Sequence, residues 1–103
     1  MSGVLVKLTL VVPAGFENTL VEALLEMEPP IGAFTAMQVD GHGQSFADAS
    51  TAERVSGRAA QLMVIAVVSP VHARSAIDHV RSILRAPHAS WWIEPVQEFG
   101  TFQ

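Results

Sequence analysis

The sequence predicts an α+β fold in which four strands build one antiparallel sheet and two helices cover one of its faces. Three observations predict it. Residues 4–12 and 60–68 alternate with period two and are apolar on both faces or nearly so. Residues 16–27, and a stretch opening at Ser69-Pro70, carry apolar side chains at three- and four-residue spacing. The order is strand, helix, strand, long loop, strand, helix, strand, all within one domain spanning residues 1–103.

In the first strand, VLVKLTLVV, Val4, Val6, Leu8, Leu10 and Val12 share one face and Leu5, Lys7, Thr9 and Val11 the other. One face is core. The mixed second face suits a subunit contact. Pro13-Ala14-Gly15 breaks the strand. The helix over residues 16–27 has an inward stripe of Phe16, Leu20, Ala23, Leu24 and Met27, with Glu17, Glu22 and Glu26 off it. Pro29-Pro30 stops it. Residues 33–39 read as the second strand, Phe34, Ala36 and Gln38 alternating with Thr35, Met37 and Val39.

Periodicity then ceases over residues 40–58, where Gly41, Gly43 and Gly57 punctuate a loop unusually long for so small a domain. Inside it, Ser50-Thr51-Ala52-Glu53 fits a capping box and Gly57 a C-cap, which predicts one helical turn over residues 51–56.

The third strand, residues 60–68, carries Leu62, Val64, Ala66 and Val68 on one face and Met63, Ile65 and Val67 on the other. A strand apolar on both faces is covered on both. Two helices cover one face of a sheet, so the other calls for a partner chain. Ser69 as N-cap and Pro70 at the first position open the second helix. Ala73, Ala76, Ile77, Val80, Ile83 and Leu84 face inward, Arg74, Asp78, Arg81 and Arg85 outward, and Pro87 ends it. In the fourth strand, residues 90–96, Trp91 and Ile93 face opposite to Trp92 and Glu94, and Pro95 marks an edge or a strand end. Phe99 and Phe102 predict a docked tail.

This order is the ferredoxin-like βαββαβ arrangement. Right-handed crossovers place its first and third strands, here the two most apolar, at the centre.

Composition excludes several function classes. Net charge is −4 and the six Lys and Arg form no basic stripe, so nucleic acid is not a partner. The absence of cysteine removes disulfides, thiolate metal sites and a Cys nucleophile. Apolar runs fall well short of the ~18 residues of a membrane span, and residues 4–12 lack the flanks of a signal peptide, so the expected location is cytoplasmic.

The chemistry-bearing residues gather at the loop. Gly41 and Gly43 allow positive φ and a backbone anion nest, and Arg58 offers a carboxylate or phosphate contact. The bland reading, a turn with an exposed histidine, is favoured by the motif alone. His72 and His79 share a helix face but lie roughly 10 Å apart, too far to chelate one ion. His42 is therefore the metal candidate, across an interface between chains. Asp40 and His42 form an alternative acid–base pair for a small enzyme.

The whole layout resembles the PII-like signalling proteins. The residues that carry the resemblance are VDGHGQ before the loop, SGR entering the third strand, and the ending WWIEPVQEFG. GHGQ is similar to the GxGxQ-type segment that opens the family's T-loop, and the ending to a PII-like branch encoded beside heavy-metal efflux pumps. The resemblance implies a non-enzymatic regulatory homotrimer acting on a membrane transporter. Gly41, His42, Gly43, Gln44 and Arg58 would line a ligand cleft between subunits, and the loop would reach a partner. Two departures bear on nucleotides. The ATP-binding members carry a glycine- and lysine-containing loop where this chain has RAPHAS, and residues 97–103 contain no cation. The resemblance therefore does not carry ATP binding over. The related CutA divalent-cation-tolerance proteins keep a divalent metal among the expected ligands.

Overall fold

The computed structural model describes residues 3–43 and 58–103. Its elements are β1 (Val6–Pro13), α1 (Glu17–Glu26), β2 (Thr35–His42), β3 (Arg58–Val68), α2 (Pro70–Ile83) and β4 (Ser90–Pro95). A single 3₁₀ turn, Ala14–Phe16, joins β1 to α1. The expected helical turn over residues 51–56, with its capping box and Gly57 cap, lies outside the described residues.

The strands form one sheet in the order β2-β3-β1-β4, with β1 and β3 central and every pairing antiparallel. The two most apolar strands therefore have neighbours on both sides, as their patterning requires. Leu8, Leu10 and Val12 of β1 and Leu62, Val64 and Ala66 of β3 face the helices. Leu20, Leu24 and Met27 from the first helical segment and Ala73, Ala76 and Ile77 from α2 close the same core. Both helices thus cover one face.

The N-terminus of α2 shows how locally these elements are specified. Ser69 is extended, and its hydroxyl accepts from the backbone N–H of His72 at 3.2 Å. That satisfies one of the otherwise unpaired first-turn donors, while Pro70 occupies a position needing no donor. At the other end the helix stops earlier than its proline suggests. Leu84 is already extended, although its N–H still bonds the Val80 carbonyl at 2.8 Å. Ile83 consequently lies exposed rather than inward. The tail differs too. Val96 N–H bonds the Leu5 carbonyl, which ties β4 to the start of β1, but beyond it Phe102 is fully exposed. The expected docking fails there because no described surface of the same chain receives the ring.

Among the described residues, neither helix covers the opposite face of the sheet. That face carries Thr9 and Val11 of β1, Met63, Ile65 and Val67 of β3, Met37 of β2 and Trp92 of β4, as the registers require. Met63, Ile65 and Val67 are half-buried by their neighbours alone.

Candidate functional site

The largest departure from the sequence reading falls at the start of the long loop. The second strand does not end at Val39. It continues through Asp40, Gly41 and His42, which pair with Ala60, Ala59 and Arg58. Gly41 is therefore extended and buried, and the positive φ expected of it is absent. Gly43 does take φ +79°, where the chain leaves the ladder. Asp-Gly-His reads as turn chemistry, but an opposing strand supplies pairing that overrides local preference.

The ladder brings the sequence-predicted residues together. His42 and Arg58 stand opposite one another, at the ~4.5–5.5 Å Cα spacing of an antiparallel pair. Gly41 precedes and Gly43 follows, so four of the five candidate binding residues occupy one corner of the sheet. The fifth, Gln44, lies outside the described residues. Below this corner is an open hollow of about 360 Å³ lined by Ala14, Gln38, Val39, Asp40, Ala60 and Gln61. Gln61 was not singled out from the sequence. It is buried beside the hollow, opposite both Val39 and Pro13, and a lone polar residue in an apolar strand was the available signal.

Asp40 and His42 alternate on β2, so they share a face about 7 Å apart along the strand, and both are exposed. Among the described residues no three His, Cys, Asp or Glu side chains converge on a metal position. His72 and His79 lie on α2 and His88 in the turn before β4, each serving local structure or facing solvent. His79, for instance, accepts the Ser82 hydroxyl at its carbonyl, at 2.7 Å.

The uncovered sheet face holds a second set of informative groups. Thr9 is 1% exposed, and its Oγ1 has no hydrogen-bond partner among the described residues. Nearby, Glu94 accepts from Trp92 Nε1 at 3.0 Å and lies 3.6 Å from Lys7 Nζ. Polar groups set among Met63, Ile65 and Val67 give this face directional features as well as apolar area.

A β2-β3-β1-β4 antiparallel sheet with two helices on one face defines a ferredoxin-like fold. Within that class, the chain belongs to the family described as protein of unknown function DUF3240, which matches residues 2–103. A DUF3240 family protein from Shewanella baltica OS155 superposes over 100% of both chains, with TM-score 0.75 and 16% identity. CPII, a nitrogen regulatory PII-like protein from Thiomonas intermedia K12 bound to ADP, AMP and bicarbonate, matches at TM-score 0.68 and 15% identity, over 96% of this chain and 97% of its own. The Bacillus subtilis GlnK–ATP complex matches at TM-score 0.65 and 22% identity, over 93% and 84%. At these identities the likeness is one of fold. Among curated proteins none matches the sequence. No helix among the described residues is long and apolar enough to cross a membrane.

Proposed function

We propose that this single-domain protein is a non-enzymatic PII-like regulator that works as a homotrimer. The observation that carries the reading is the closed base of the long loop, where the β2–β3 ladder sets His42 against Arg58 with Gly41 and Gly43 beside them. Such a corner offers an exposed imidazole and the Gly43 backbone, with Arg58 as the cationic residue of the opposing strand, to a small ligand, an anion or a divalent cation. Ligand binding there shifts a conformational equilibrium that a partner reads. The fold shared with nucleotide-bound CPII and GlnK supports a sensing role. A cytoplasmic protein of this kind, built like the branch it resembles, has a membrane transporter such as a metal-efflux pump as its partner.

The trimer is supported by the uncovered face. A sheet with Met63, Ile65, Val67 and Val11 on its open side gains stability when a second copy covers it. Light scattering at micromolar concentration tests this, and a monomer there would sink it.

Thermal-shift screening with ADP, AMP, ATP, bicarbonate and divalent metal ions tests the sensor. At least one of these should raise Tm, by mass action on the folded state. The rise should shrink in His42→Ala. Silence across the whole panel would remove the sensing role.

A further inference from the structure

A second cleft lies on the helix side of the sheet, at the opposite edge from the loop base. Its floor is Leu10 and Val12 of β1. One wall is Val80, Arg81 and Leu84 at the end of α2, and the other is Trp91 of β4. The strand order puts β4 three strand spacings from β2, about 14 Å, so this cleft and the loop base of one chain are separate places. The hollow exists because α2 stops at Ile83 and the link that follows offers only Ala86 and Ala89 between larger neighbours.

Its volume is about 180 Å³. That is close to the ~150 Å³ of an apolar cavity that holds benzene, and far too small for a nucleotide. The lining is apolar except for Arg81 and Ser90, and it contains no carboxylate. Arg81 reaches Asp78 at 3.4 Å, but both side chains are more than half exposed, and such a surface pair is worth little. The Arg81 guanidinium is therefore available to a better acceptor. A second guanidinium, Arg74, sits 5.2 Å from the centroid of the Trp91 ring and holds that wall in place. Arg81 is the charged residue of the lining, so the rim of the cleft carries a cation and its interior does not.

We propose that this cleft binds a small carboxylate with a compact apolar body. The carboxylate meets Arg81, and the apolar part fills the space against Trp91, Val80 and Leu84. The inference does not depend on the sensing role of the loop base.

Trp91 supplies the readout. The chain has two tryptophans, so Trp92→Phe leaves Trp91 as the sole indole emitter. In that background, titration with cyclohexanecarboxylate should change Trp91 emission saturably. Cyclohexanecarboxamide, of the same shape without the charge, should bind about tenfold more weakly, and so should the acid to Arg81→Gln, since a hydrogen bond to a charged group is lost. Ala89→Leu, checked for folding by circular dichroism, fills the space and should abolish the response. The proposal is overturned by an absent or linear response, by equal binding of acid and amide, or by unchanged binding to Arg81→Gln. Emission that shifts with protein concentration alone and is indifferent to the acid would assign the cleft to contact between copies and overturn it as well.

Discussion

His42 and Arg58 are the last pair of the β2–β3 ladder, sixteen positions apart in sequence and directly opposite in space. The pairing makes the two ends of the long connection one structural unit, so a ligand that touches either end senses both. Arg58→Ala should therefore weaken any anion that raises the wild-type Tm by about tenfold or more, the loss of one charge-assisted hydrogen bond. His42→Ala should act on the same ligand. Isothermal titration of both variants checks this, and additive, independent losses would argue against a shared site.

Thr9 makes a prediction about the sheet's open face. Its hydroxyl is buried without a partner among the described residues, which is unfavourable in an isolated chain. Thr9→Val keeps the shape and removes that group. In a monomer it should leave stability unchanged or raise it by about 1 kcal/mol in urea unfolding. If a neighbouring copy supplies the partner, the same substitution should destabilise the assembly instead.

Two glycines separate backbone strain from empty space. A Cβ at Gly15 or at Gly32 would meet nothing within 4 Å, but Gly32 has φ +89° and Gly15 has no positive φ. Gly32→Ala should cost about 1 kcal/mol, from forcing an L-residue into the left-handed region. Gly15→Ala should be neutral or stabilise by up to about 1 kcal/mol, by restricting the unfolded chain. Denaturant midpoints at unchanged slope would show both effects.

The helix cap gives a simpler case. Ser69→Ala removes the acceptor for His72 N–H and should cost about 1 kcal/mol, with Ser69→Asp retaining most of the stability. Equal losses for both variants would mean that the hydroxyl is not the capping group.

What was legible in the sequence followed from period and punctuation. The apolar faces of residues 4–12 and 60–68 placed β1 and β3 at the centre, and Ser69-Pro70 located the start of α2 to the residue. What was not legible depends on partners distant in sequence. Asp40, Gly41 and His42 are turn residues by type and strand residues by pairing, because Arg58, Ala59 and Ala60 lie opposite them. Ile83 has an inward spacing, but the helix ends beneath it. The contact of Arg74 with Trp91 joins α2 to a sheet edge, and no local pattern announces it. At the candidate site, the grouping of residues at the loop base was an expectation of the resemblance, and the strand pairing that extends to His42 and Arg58 was not legible. Gly41 lies at the corner in extended strand and not in a left-handed turn.

Glu94 offers a measure of whether the open face is covered. In the single chain it pairs with Lys7 at 3.6 Å, with the two side chains 50% and 40% exposed, and accepts from Trp92 Nε1 at 3.0 Å. An ion pair so exposed contributes about 0.2–1 kcal/mol and weakens with salt. Glu94→Ala should therefore have little effect on a monomer. Once a second copy covers the face, the same substitution strands Lys7 away from water, and breaking a buried pair costs about 3–5 kcal/mol. The double variant Lys7→Met with Glu94→Gln removes both charges and should recover most of that loss. Urea unfolding at low and high protein concentration distinguishes the cases. A large, concentration-dependent loss for Glu94→Ala, rescued by the double variant, is the outcome expected of the trimer. A loss below about 1 kcal/mol at every concentration would leave the face open to solvent.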